Sequence, residues 1–228
     1  MDISKYKWLL FDLDNTLMDF HEPSVLSFFD LCQNIGLMPN KATYKTYKIE
    51  NNKVWAQYED GTITSQELRT LRFEYFFKVA KVEYDPWAAH EQYVAGLIKY
   101  SKPTDETLAV LTSLQQSHKL AIITNGLKEA QRPRLKNTGL DKFFTEVIVS
   151  DEIGVAKPQV EYFDYVINEI GHSQKDELLI IGDSLMSDIL GGMNSCIDTV
   201  WYNPAGLATH SKVSPIYTIA DLQELVRL

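Results

Sequence analysis

Short, nearly uninterrupted apolar runs that end in polar residues or glycine constrain this chain more than any other feature. They recur at Lys7 to Leu13, Leu120 to Thr124, Glu146 to Ser150, Leu178 to Gly182 and Thr199 to Tyr202. Runs this apolar suit strands covered on both faces, because a half-exposed strand alternates apolar with polar. Segments of helical character separate them, among them Asp105 to Gln116, Glu161 to Ile170 and Ser187 to Asn194. Strand and helix in alternation predict an α/β chain with a doubly wound, Rossmann-like parallel sheet.

The alternation stops between Met18 and Ser101. That stretch has no comparable strand run, but Leu68, Leu71, Arg72, Tyr75, Phe76 and Val79 recur at helical spacing, as do Val25, Phe28, Phe29, Cys32 and Ile35. The pattern predicts an inserted α-helical cap over 18–101, with the sheet core formed by 1–17 and 102–228. Gly61-Thr62-Ile63-Thr64 reads as a turn that starts a helix, with Thr64 or Ser65 as its N-cap. Pro86 and Pro103 stand where helices begin. Pro133 falls inside the otherwise helical Lys128 to Thr138, so the helix starts near Arg132 or bends there. At 228 residues the chain has room for one core with such an insertion.

Charge and cysteine usage exclude several function classes. The net charge of −9 repels phosphate backbones and anionic lipid, so nucleic acid and membrane surfaces are not expected partners. The two cysteines, Cys32 and Cys196, lie far apart and lack metal-ligand spacing. No apolar run approaches the roughly 20 residues a membrane span requires. With no secretory pattern at the start, a cytoplasmic location is expected.

The first run empties into Asp12-Leu13-Asp14-Asn15-Thr16, and Leu178-Leu179-Ile180-Ile181 empties into Gly182-Asp183-Ser184, with Asp188 five positions after Asp183. In a parallel sheet, ligands bind beyond the carboxyl ends of the strands. Asp12, Asp14, Asp183 and Asp188 gathered there repel one another unless a cation lies between them, and all-oxygen ligands point to Mg²⁺. Thr124-Asn125-Gly126 follows another run and offers a hydroxyl and an amide to phosphoryl oxygens, while Lys157 supplies the positive charge. Each has a plainer reading. Asp, Asn and Thr also build turns and caps, and a single lysine is ordinarily solvated. Their succession along the chain favours chemistry.

In that succession the sequence resembles the haloacid dehalogenase-like hydrolase superfamily, through Asp12-Leu13-Asp14-Asn15-Thr16-Leu17, Thr124-Asn125, Lys157-Pro158 and Gly182-Asp183 with Asp188. The resemblance implies that Asp12 is a nucleophile forming an aspartyl-phosphate, and that Asp14 protonates the leaving group and then activates water. It implies Mg²⁺ held by Asp12, the Asp14 main-chain carbonyl and Asp183, with Asp188 orienting metal-bound water or Lys157. Lys157 and Thr124 would steady the phosphoryl group, with Asn125 beside them as a substrate contact.

The insertion occupies the place of the superfamily's helical cap, which closes over the site and excludes water. Its segment Trp55 to Thr64, with Glu67-Leu68 and Arg72-Phe73, is similar to bacterial pyrimidine 5′-nucleotidases. That implies a nucleoside monophosphate substrate, with Trp55 and Arg72 against base or sugar. Packing is the alternative for both residues, since aromatic side chains at helical spacing usually face inward. A sugar-phosphate phosphatase or phosphomutase uses the same core groups. A dehalogenase has no use for Asp14. A receiver-like switch places its phosphorylated Asp after a middle strand, and a non-catalytic phosphate-binding protein would be expected to lack one of these groups. The expected partner is a small phosphorylated metabolite, with the chain a monomer or homodimer. His21, His90, His118, His172 and His210 have no motif neighbours and read as surface or packing residues.

Overall fold

The computed structural model describes residues 2–208 and 212–226; His210 lies outside them. The apolar runs form strands β1 (Trp8–Phe11), β2 (Lys119–Thr124), β3 (Glu146–Val149), β4 (Leu178–Gly182) and β5 (Asp198–Tyr202), and a short β6 (Tyr217–Ile219) follows. All pair in parallel in the order β3-β2-β1-β4-β5-β6. Alternate residues serve opposite faces, and both faces are covered. Trp8, Leu10, Ile123 and Ile180 pack with Tyr162, Phe163 and Val166, whereas Leu9, Phe11, Ile122 and Ile181 are also fully buried. Each such side chain contributes about 1.5–3 kcal/mol by leaving water.

The chain lays β1, β2 and β3 outward in one direction and then returns to place β4 on the other flank of β1. The connections that leave β1 toward β2 and β4 toward β5 therefore run to opposite sides from the carboxyl ends of these two neighbours. This is the crevice where open α/β sheets bind ligands.

Five longer helices precede β2: α1 (His21–Asn34), α2 (Lys41–Glu59), α3 (Ser65–Ala80), α4 (Pro86–Tyr100) and α5 (Asp105–Leu114). Local chemistry starts them. Asn40 Oδ1 accepts from the Ala42 and Thr43 amides, Thr64 and Glu67 form a reciprocal capping box, and Pro86 follows the capping Asp85. After β2 come α6 (Lys128–Thr138), α7 (Ser150–Ile153), α8 (Val160–Glu169) and α9 (Leu190–Asn194).

By packing, the chain divides into two units. One comprises Met1–Asp19, Lys102–Gly126 and Thr138–Leu228, and contains the sheet; the other comprises Phe20–Ser101 and Leu127–Asn137, and is helical. The helical unit has its own core of Phe28, Tyr47, Phe73, Phe76 and Tyr93. Most of α6 thus groups with the helices, where the sequence pattern had assigned it to the sheet core. The reason is polar: Glu129 pairs with Arg69, and Arg134 donates to Ser101 Oγ.

Two readings of local structure are corrected, and one alternative is resolved. In α3 the buried stripe is Leu68, Arg69, Arg72, Phe73, Phe76 and Phe77, while Tyr75 and Val79 are exposed, because the wholly apolar phenyl rings take the inward face and leave the Tyr75 hydroxyl in solvent. The helix expected from Ser187 begins as a π-helical turn, Leu185–Ile189, and becomes α9 only afterwards. Of the two alternatives at Pro133, the start near Arg132 is excluded: α6 starts at Lys128 and runs through the proline.

Candidate active site

The carboxyl edge of the sheet collects the motif residues in register. Phe11 pairs with Ile122 on one side and Ile181 on the other, so Asp12 emerges level with the ends of β2 and β4. The Asp12 amide still donates to Ile181 O at 2.9 Å, which fixes the direction in which the residue leaves the strand. Beyond it, Asn15 adopts a left-handed conformation with φ of 64°, and its amide donates to Met18 O. Asparagine tolerates that conformation better than most residues. Thr16 is thereby turned back so that its hydroxyl donates to Asp12 Oδ2 at 3.0 Å.

Lys157 is 1% exposed, and its ammonium has three acceptors. They are Asp12 Oδ1 at 2.8 Å, Asp188 Oδ1 at 2.6 Å and the Ile123 carbonyl at 2.8 Å. Asp188, also buried, takes the Ser184 amide on Oδ2 at 3.0 Å. The π-helical turn opens just after Ser184 and delivers Asp188 to this position; single π turns recur at functional sites. Gly182 is required by the same closeness, since a Cβ there would stand 2.2 Å from Asp188 Oδ2. Trp201 Nε1 donates to the Asp183 carbonyl at 2.8 Å and anchors that residue's main chain.

Asp12, Asp183 and Asp188 each offer a carboxylate oxygen, and these oxygens lie within 4.8 Å of one another. Three carboxylates against one ammonium leave negative charge that the trio and its lysine do not balance. The electrostatics reflect this. Burial pushes Asp12 well above the usual carboxylate range, with Lys157 pulling it back and Asp188 and Asp183 adding to the rise. Burial and then Asp188 carry Asp183 up to about 7 against the pull of Lys157. Burial works against the charge on Lys157, but Asp12 and Asp188 outweigh it and hold the ammonium above the ordinary lysine value.

The remaining candidates fall into place around this centre or away from it. Thr124 is buried at the end of β2, and its hydroxyl accepts from the Gly126 amide at 3.2 Å. Asp14 is half-buried on the loop after Asp12, and its side chain is not one of the trio. Asn125 directs both ends of its amide at the Lys157 main chain, with Nδ2 2.9 Å from O and Oδ1 2.8 Å from N. The supporting donors and acceptors from Ile123, Ser184 and Trp201 were not foreseen. Two are main-chain groups, which no residue type announces, and the indole meets a carbonyl 18 positions away.

Arg72 and Trp55 belong to the helical unit. Arg72 is only 3% exposed, with Nη2 2.9 Å from His90 Nδ1 and its guanidinium over the rings of Phe73 and Tyr93. This is the arrangement the packing alternative describes. Trp55 is half-buried, edge to face with Tyr58 at 5.9 Å. Among the described residues, no helix is long and apolar enough to cross a membrane.

Residues 9–202 match the haloacid dehalogenase-like hydrolase family. The chain is 32% identical to pyrimidine 5′-nucleotidase YjjG of Escherichia coli, over 98% of each chain. It is 34% identical to pyrimidine 5′-nucleotidase PynA of Streptococcus pneumoniae, over 97% of this chain and 94% of that protein. Among solved structures it is similar to the HAD-hydrolase YfnB of Bacillus subtilis bound to magnesium, with a TM-score of 0.89 and 34% identity over 97% of each chain. A match that starts inside β1 and ends with β5, with relatives alike along nearly their whole length, makes the chain a member of the haloacid dehalogenase-like hydrolases.

Proposed function

We propose that this hydrolase is a Mg²⁺-dependent phosphatase that passes the phosphoryl group through Asp12 and acts on nucleoside 5′-monophosphates, pyrimidine nucleotides foremost. The observation that carries the reading is the buried bridge from Lys157 to Asp12 and Asp188 at the carboxyl end of β1. A lysine that only solubilised the surface would not be there.

The donor set fits Mg²⁺: all ligands are oxygen, the carboxylates converge, and their charge exceeds that of the one ammonium. Asp12 and Asp183 would hold the ion, with the Asp14 main-chain carbonyl. Asp188 has Lys157 on one oxygen and Ser184 N–H on the other, so its first task is to hold Lys157. When bound, the ion would offset the carboxylate surplus and polarise the phosphoryl oxygens.

Asp12 attacks phosphorus as the bond to the ester oxygen breaks, and the Asp14 carboxyl gives that oxygen its proton. Asp14 then takes a proton from water, whose oxygen attacks the aspartyl-phosphate and releases inorganic phosphate and the free Asp12 carboxylate. Thr16 and Lys157 restrict Asp12 throughout, each from one carboxylate oxygen. The Thr124 hydroxyl supplies a donor for the phosphoryl oxygens, and Lys157, its three N–H groups already taken, supplies positive charge beside them as charge redistributes.

None of these residues reads the leaving group. The nucleotide preference rests on likeness to YjjG and PynA, and Trp55 is the proposed base contact. A phosphate-release screen over nucleoside and sugar monophosphates, with and without Mg²⁺, tests both levels. Pyrimidine nucleotides should show the highest kcat/KM, and chelator should abolish turnover. Sugar phosphates ahead of every nucleotide would discard the substrate class and leave the chemistry standing.

A further inference from the structure

Lys157 sits where neither helix nor strand can hold its main chain. Gly154, with φ of 78°, ends α7, and α8 begins only at Val160. Residues 155–159 between them join no ladder of the sheet. A buried N–H and C=O still need partners, because each costs free energy if left unpaired. Both main-chain groups of Lys157 find theirs on one side chain: N–H donates to Asn125 Oδ1 at 2.8 Å, and O accepts from Asn125 Nδ2 at 2.9 Å. A carboxamide is the one neutral side-chain group that presents donor and acceptor as a peptide does. Asn125 therefore acts as one rung of a strand extended past the end of β2.

The same strand also holds the far end of Lys157, since its ammonium donates to Ile123 O at 2.8 Å. Asn125 and Ile123 thus tie the lysine at its main chain and at its tip. The other two donors of Nζ are then aimed at Asp12 and Asp188.

From this geometry we infer that Asn125 is a positioning residue for Lys157, in place of the substrate contact that the family resemblance implied. The inference rests on the phosphatase reading for the role of Lys157, but the clamp itself is a property of the chain. An ammonium displaced by about an ångström no longer holds Asp12 in line, and misplacement of that size costs about 100-fold in rate.

The test compares the full-length protein with Asn125→Ala and Asn125→Asp. Amide hydrogen exchange is followed by mass spectrometry, and kcat and KM are measured for an aryl phosphate with Mg²⁺. Asn125→Ala should speed exchange at the Lys157 amide at least about tenfold while β1 and β4 stay protected. Its kcat should fall about 100-fold, with a smaller change in KM. Asn125→Asp keeps the acceptor and loses the donor, so the Lys157 amide should stay protected while kcat still falls. If Asn125→Ala exchanges fast everywhere, it has not folded, and the Asp variant alone then decides. Unchanged exchange at Lys157 in a folded Asn125→Ala, or a loss carried by KM alone, would overturn the inference. A wild-type protein without phosphatase activity would instead defeat the functional reading, and the exchange result would still report on the clamp.

Discussion

Each unit of the molecule buries one cluster of charged side chains, and the two are built by opposite rules. In the sheet unit, Asp12, Asp183 and Asp188 outnumber Lys157, so negative charge is left over. In the helical unit, Glu129 takes Arg69 in a two-pronged pair, Nε on Oε1 and Nη2 on Oε2, each at 2.8 Å. His90 stands between Glu129 and Arg72. Because a guanidinium can only donate, Arg72 fixes His90 Nδ1 as an acceptor, and the ring is neutral with its proton on Nε2 toward Glu129. Burial, foremost, lowers the His90 pKa in keeping with this.

Here the surplus is positive, and it is spread over the faces of Phe73 and Tyr93. Aromatic faces can settle a surplus of guanidinium within the protein. A carboxylate surplus is relieved by taking up protons, the direction in which Asp12 and Asp183 are shifted, or by a cation from outside, which is the role the proposed function gives to Mg²⁺.

Three substitutions, read in four measurements, would break or sharpen the contrast. The largest effect belongs to Asp12→Asn, which keeps shape and removes the attacking anion. Turnover should drop by at least about 1000-fold in steady-state assays, with the circular dichroism spectrum unchanged. Next, Asp183→Asn should raise the Mg²⁺ concentration for half-maximal activity by about tenfold or more, with much of the rate recovered at saturating metal. An unchanged metal requirement would remove Asp183 from the ligands.

In the helical unit the loss should appear as stability. Glu129→Gln strips both Arg69 and His90 of their carboxylate and should cost roughly 2 kcal/mol in urea unfolding. That is less than for a fully buried pair, because the Glu129 side chain stays 31% exposed. Hydrolysis of an aryl phosphate at 25 °C should change by no more than about threefold, a bound taken from the small effects of substitutions outside the chemistry. A loss of activity as large as that of Asp12→Asn would erase the distinction between the clusters.

The smallest effect is in the acid limb. Although burial opposes it, His90 and Arg69 hold Glu129 down to about 2. A carboxylate depressed on folding adds stability above its unfolded value of about 4.3, and that stability is lost as pH falls toward 2. Glu129→Gln should flatten that part of the stability profile, and an unaltered slope would mean that the pairing does not favour the folded state.

The two clusters also differ in how far the sequence announced them. Asp12, Thr124 and Asp183 stand at the ends of apolar runs, where strand alternation and the doubly wound sheet place chemistry. Nothing comparable marks Arg69, Glu129 and His90, which come from three helices and meet only through tertiary packing. For the same reason α6 was read with the sheet, since its attachment to the helices runs through Glu129 and Arg134 and leaves no periodic trace. Strand β6 was missed because two of its three residues, Tyr217 and Thr218, are exposed at the sheet edge, so only Ile219 carries an apolar signal. The π-helical turn was read as ordinary helix because a single wide turn leaves no mark on the spacing of apolar residues.

The central claim is that the surplus carboxylates serve phosphoryl transfer through Asp12. Acid-quenched single turnover with a nucleoside monophosphate and Mg²⁺, read by intact-protein and peptide mass spectrometry, tests it most directly. The account predicts one phosphoryl group on the peptide carrying Asp12, formed before phosphate is released and absent in Asp12→Asn. Phosphate released at full rate with no adduct on that peptide at any quench time would contradict it.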